Sequence, residues 1–119
     1  MTKAVFVVMT NVQTPEQEAD FNEWYDTVHL ADVLQTPGVV KATRYRLAAG
    51  RPKEGRGQYL ALYEVETADP TAILAQIQET LRRREAEGSQ SLHEALVLVT
   101  QGIYEQLGEP QVARAPGSR

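Results

Sequence analysis

The chain of 119 residues has no cysteine, one tryptophan, two phenylalanines and two histidines. Without cysteine there is no disulfide framework and no thiolate chemistry, and the composition suits a reducing compartment. His29 and His93 alone fall short of the three protein ligands that a catalytic zinc site usually takes. No glycine-rich loop that could cradle a phosphate is recognisable: Gly50, Gly55 and Gly57 lie among Arg51, Lys53 and Arg56, with no helix behind them. Positive charge is the scarcer sign, 12 Lys and Arg against 16 Asp and Glu, for a net charge of −4. A nucleic-acid binder normally carries a concentrated basic face instead. The apolar run Ala4-Val5-Phe6-Val7-Val8-Met9 is too short to cross a bilayer, and no small-residue cleavage site follows it. These absences predict a soluble, cytoplasmic protein with no metal or other cofactor and neither nucleic acid nor membrane as partner.

What is present concentrates between Phe21 and Leu34, a segment closed by Thr36-Pro37-Gly38. Ala19, Phe21, Trp24, Tyr25 and Val28 form the stripe of a helix with one buried face. Thr14-Pro15-Glu16-Gln17 reads as its start, a capping box with proline at the first helical position. His29 follows Tyr25 by four residues, so both share a face. Adjacent residues differ by ~100° around a helix, so Trp24 and Tyr25 cannot both turn toward the histidine, and Tyr25 is the one in register.

Residues 3–10 read as a buried strand and 39–47 as a second, with Val39, Lys41, Thr43, Tyr45 and Leu47 on one side. Residues 48–58 form a solvated hairpin loop, and 59–66 a third strand with Tyr59, Ala61, Tyr63 and Val65 on one face. Asp69-Pro70 opens a second helix whose Ile73, Ile77 and Leu81 point one way. Arg82-Arg83-Arg84 places positive charge at its C-terminal end, where the dipole favours it. Residues 94–104 give a fourth strand, and the domain spans 1–107 with a flexible tail over 108–119.

The order βαββαβ predicts an α+β fold of the ferredoxin-like kind, a four-stranded antiparallel sheet with two helices on one face. The other face then lacks cover, and a second copy of the chain is the cheapest way to supply it. At roughly 25 cal/mol per Å², burying several hundred Å² there contributes on the order of 10 kcal/mol gross, which predicts a homodimer.

Phe21-Asn22-Glu23-Trp24-Tyr25-Asp26, His29-Leu30, Asp32, Pro37-Gly38, Ala42-Thr43-Arg44-Tyr45-Arg46 and Tyr59-Leu60-Ala61-Leu62-Tyr63-Glu64 carry a resemblance. Over about residues 3–105 the chain resembles the dimeric α+β barrel superfamily, and within it the EthD-related proteins, named for ethyl tert-butyl ether degradation. The resemblance implies two sheets paired face to face and a pocket between each sheet and its own helices. Members with this pattern include cofactor-free monooxygenases, polyketide cyclases, isomerases, dehydratases and haem-degrading enzymes. It also implies that the histidine after the first helix, here His29, lies at the pocket as acid or base.

Each candidate has a plain reading beside the chemical one. His29 is either a helix-end imidazole held by the dipole or a general acid/base for an acidic carbon or phenol. Tyr45 and Tyr63 either satisfy backbone or solvent, or one of them polarises a ligand carbonyl. Trp24 and Tyr25 pack on the sheet or line the pocket. Asp32 caps the following turn or orients the imidazole. Arg44 bridges to Glu64 or Glu66 across the hairpin, or holds a ligand carboxylate. The chemical readings together predict a small cofactor-independent cyclase, isomerase or dehydratase acting on a hydrophobic aromatic or polyketide-like molecule. Alternatives are a non-catalytic binding dimer and a haem-binding or haem-degrading relative.

Overall fold

The computed structural model describes residues 1–114. Strand β1 runs Thr2–Val12, and a helical passage follows: a 3-10 turn Pro15–Gln17, α1 Glu18–Trp24, a π turn Tyr25–His29 and α2 Leu30–Val33. Strands β2 (Val39–Arg46) and β3 (Tyr59–Thr67) form a hairpin; a 3-10 turn Pro70–Ala72 leads into α3 (Ile73–Ala86), and β4 is Leu96–Glu105. The sheet order is β2-β3-β1-β4, with every neighbouring pair antiparallel. This is the ferredoxin-like α+β arrangement, with the α1–α2 passage and α3 on one face. Residues 108–114, the described part of the expected tail, carry no helix or strand, while 115–119 lie outside the described residues.

Alternation builds the core. Tyr59, Ala61, Tyr63 and Val65 of β3 are buried beside Ala4 and Phe6 of β1, and Phe21, Ile73 and Ile77 close on them from the helices. Full burial of Phe21 stabilises by about 1.5–3 kcal/mol. Asp69 caps the start of the second helix by accepting from the Thr71 N–H at 3.0 Å, as its position before Pro70 predicts. Thr14 and Gln17 instead bond side chain to side chain at 2.9 Å, so the expected capping box does not close on the backbone.

β2 departs from its predicted alternation. A bulge between Val39 and Lys41 inserts one residue, which puts Val39 on the core side opposite Val65 and leaves Val40 exposed. Beyond the bulge Ala42 and Arg44 face the helices, and Tyr45 faces away, opposite Leu60. On the far face Val5, Val7, Met9, Leu60 and Leu62 remain half-buried, although they sit on the two central strands.

Candidate functional site

His29 owes its place to the π turn. The Leu30 N–H reaches back to the Tyr25 carbonyl, five residues earlier, so residue i+5 lies over residue i. In an α-helix Trp24 and His29 would stand roughly 140° apart. Here their rings stack at 4.8 Å, while Tyr25 meets the same imidazole edge-on at 4.9 Å. The expectation that only Tyr25 would face His29 is therefore corrected: both aromatics hold it. Trp24 is fixed in turn by donating from Nε1 to the Gln90 carbonyl at 2.7 Å.

The imidazole lines a cavity of about 240 Å³ between the sheet and the helices. Phe6, Val8 and Tyr63 form its sheet wall, Ile77 and Leu81 its α3 wall, and Leu92 and Leu98 stand exposed at its rim. Among the described residues none of the side chains lining it is Asp, Glu, Lys or Arg. Two of them carry buried polar atoms without a hydrogen-bond partner, His29 Nδ1 and the Tyr63 hydroxyl. Leaving such a group unsatisfied costs about 1–3 kcal/mol; Thr36 Oγ1 and Arg44 Nε, outside this lining, are in the same state. A larger hollow of about 520 Å³ lies at one end of the sheet, lined by Lys3, Glu64, Glu66, Glu105 and Glu109 among others. None of its lining residues has an unpartnered buried polar side-chain atom, so the smaller cavity is the better place for chemistry.

The electrostatics keep the cavity neutral. Burial lowers the His29 pKa to about 4; Asp32 opposes this, Arg44 adds to it, and the Ser91 backbone favours the charged form. The imidazole is thus uncharged at neutral pH. Burial also raises Tyr25, against the neighbouring Tyr63 hydroxyl and Arg44. Tyr63 is pushed far above the ordinary phenol range by burial and then by Tyr25. The two hydroxyls are close enough for Tyr63 to act on Tyr25 as a hydrogen-bond donor, although the contact falls short of good hydrogen-bond geometry.

The remaining candidates divide. Asp32 is buried and accepts from Arg84 Nε at 2.9 Å and from the Ser89 hydroxyl, so it neither caps the turn with its side chain nor touches the imidazole. Arg84, expected on a solvated helix end, is its partner across 52 positions. Arg44 makes no bridge to Glu64 or Glu66: β2's bulged register turns it inward, where it donates to Asp26 and Asn22, both at 2.9 Å. Its guanidinium covers the Tyr25 ring at 4.2 Å. Tyr45 lies on the opposite face of the sheet from His29, half exposed, so only Tyr63 of the two predicted tyrosines joins the cavity.

Sequence reading overlooked His93. Its Nδ1 accepts from the Ala95 N–H at 3.0 Å, so Nε2 carries the proton and donates to Asp20 at 2.7 Å. That pair pins the segment after α3 onto α1. Only the residue type marked His93 beforehand, because its partner is 73 positions away. Among the described residues no three His, Asp or Glu side chains stand close enough to hold a metal ion, and no helix is long and apolar enough to cross a membrane.

Comparison with known proteins supports this fold. The family model described as a domain of unknown function, DUF4286, matches residues 3–105. No curated protein matches the sequence. HapK from Hahella chejuensis has a similar structure, with a TM-score of 0.64 at 20% identity over 93% of this chain and 99% of that one. A protein provisionally assigned as a monooxygenase, from Shewanella loihica PV-4, gives 0.57 at 17% identity over 97% and 99%. An ethyl tert-butyl ether degradation (EthD) family protein from Bacillus halodurans C-125 gives 0.52 at 14% identity over 90% and 100%. At such identities the likeness is one of fold, and it carries the resemblance to dimeric α+β barrel proteins of the EthD kind.

Proposed function

The chain belongs to the DUF4286 family, and from that premise and the chemistry of its cavity we propose that it is a small enzyme transferring a proton on a hydrophobic carbonyl compound without a cofactor. His29 acts as the general acid/base and Tyr63 hydrogen-bonds the carbonyl oxygen. The observation that carries this reading is the pair of buried, unpartnered polar atoms, His29 Nδ1 and the Tyr63 hydroxyl, on two side chains that line one apolar cavity.

A neutral imidazole can take a proton from a carbon next to a carbonyl. At a pKa of about 4 it is a weak base in the free protein. The enolate formed beside it supplies a counter-charge to the imidazolium, and Asp32 supports it from behind. A donor placed where negative charge develops, the role given to Tyr63, acts most strongly in a water-poor site. Isomerisation, cyclisation and dehydration all begin with this step. Trp24 and Tyr25 hold the imidazole, and Arg44 braces Tyr25 from outside the cavity. Tyr45, on the open face, takes no part within one chain.

The test is deuterium exchange. In heavy water the protein should accelerate loss of the α-protons of small aryl ketones, followed by NMR. General bases contribute about 10²–10⁴-fold, so His29→Ala and His29→Gln should each cost roughly a hundredfold. A loss within threefold would sink the assignment.

The low basicity of His29 favours one rival, a binding protein without chemistry. There His29→Leu would keep or improve ligand affinity and there would be no exchange to lose. Haem does not fit: about 240 Å³ lies below the roughly 300–1,000 Å³ of drug-sized sites, and a tetrapyrrole needs more. The half-buried apolar face of the central strands supports a homodimer as the working unit, and the cysteine-free composition supports a cytoplasmic setting, checked by cell fractionation.

A further inference from the structure

We propose that the His29 cavity selects a small uncharged molecule carrying a phenol or enol hydroxyl and a separate carbonyl, and turns away ions of either sign. This rests on the cavity being the site put forward above, though not on a reaction taking place there.

Charge comes first. No ionised side chain lines the cavity among the described residues. The two whose charges act on His29, Asp32 and Arg44, are not among the lining residues, and apart from Arg44 Nε they are engaged. Asp32 is held by Arg84 and Ser89, and Arg44 by Asp26 and Asn22. A carboxylate or ammonium entering the cavity would lose its water and find no counter-ion, which is the costliest way to bury a charge. Arg44 therefore does not serve as a carboxylate clamp.

The unpaired atoms define the polar half of the ligand. His29 is uncharged, and the Ser91 backbone sits on the side that favours a ring N–H, so Nδ1 offers a lone pair with no donor facing it. The Tyr63 hydroxyl has no well-aligned acceptor, its neighbour being the Tyr25 hydroxyl. A ligand complementary to both brings one hydroxyl and one carbonyl. Both atoms are closed off from solvent, so the side chains packed around them must shift before a ligand reaches them. Size sets the last limit: about 240 Å³ equals roughly eight water volumes of about 30 Å³, space for one substituted aromatic ring.

Trp24, the only tryptophan, stacks on His29 and reports on the cavity by fluorescence, alongside calorimetry. Four probes of similar size separate the requirements: meta-hydroxyacetophenone, its anionic and cationic counterparts meta-hydroxybenzoate and meta-hydroxybenzylamine, and acetophenone without the hydroxyl. Salt near 0.15 M shortens the Debye length to about 8 Å, so the net charge of −4 does not decide the result. The neutral hydroxyketone should bind at least tenfold more tightly than either ion and about fivefold more tightly than acetophenone. His29→Leu should abolish that fivefold preference, and Tyr63→Phe, which keeps the ring, should weaken both ketones alike. Either ion binding within threefold of the hydroxyketone, or no probe binding at millimolar concentration, overturns the inference. Selective binding of an ion would leave proton transfer standing, to be judged by deuterium exchange; neutral selectivity without exchange would remove the enzyme reading alone.

Discussion

At the scale of the residue, His29 couples the site to the stability of the fold. Its pKa falls from 6.5 to about 4 on folding, so between those values the unfolded chain binds more protons and stability rises with pH. The contribution is complete above pH 6.5 and is lost as pH falls to 4, a change of about 3 kcal/mol. Urea titrations at pH 4 and pH 7.5 should show this acid loss in the wild type and a loss about 3 kcal/mol smaller in His29→Gln. The same shift fixes the rate profile: proton abstraction should be level from pH 6 to 8, with its acid limb near 4. A limb near 6.5 would mean that the imidazole is not buried in the working protein. Tyr63→Phe should lower the exchange rate by 10²–10³-fold if its hydroxyl stabilises the developing oxyanion, about the cost of removing one such donor.

At the scale of the element, three segments depend on Asp32. It ties α2 to Arg84 of α3 and to Ser89 of the segment that continues, through His93 and Asp20, onto α1. Asp32→Ala removes the buried carboxylate that joins Arg84 to Ser89, leaves Arg84 only Glu87 as partner, and should lower the urea midpoint. Gly57 is a second fixed point, because a Cβ there would lie 2.8 Å from the Thr10 carbonyl oxygen. Gly57→Ala should cost about 1–3 kcal/mol by forcing the hairpin loop off β1. What could be read from sequence at this scale follows from periodicity. Tyr59 to Val65 alternate on a regular strand, and Asp69-Pro70 announces a helix by local chemistry alone. The β2 bulge and the π turn each add one residue without any residue type that marks it. Val39, Arg44 and Trp24 consequently fell on faces that simple counting could not assign. Asp32 with Arg84, and Asp20 with His93, are pairings across 52 and 73 positions that only the folded chain brings together.

At the scale of the whole molecule, the helices cover one face of the sheet and leave Val5, Val7, Met9, Leu60 and Leu62 half-buried on the other. A second copy covering that face predicts a dimer by size exclusion with light scattering at micromolar concentration. Leu62→Lys should return a monomer with an unchanged circular dichroism spectrum, and a wild-type monomer would refute the pairing. The His29 cavity lies on the opposite side of the sheet, so its binding and its association can be tested by separate substitutions. The π turn has a consequence for the gene as well. It holds one residue more than the α-helix on either side requires, and the exposed Thr27 within it packs on nothing in the core. Losing that codon in frame would let Glu18–Trp24 and Leu30–Val33 join as a plain helix with both ends still in phase with the sheet. Only the aim of the side chains between them would change. One inserted or deleted triplet is therefore enough to re-aim the cavity's imidazole within an inherited fold, a shorter mutational route than rebuilding its walls.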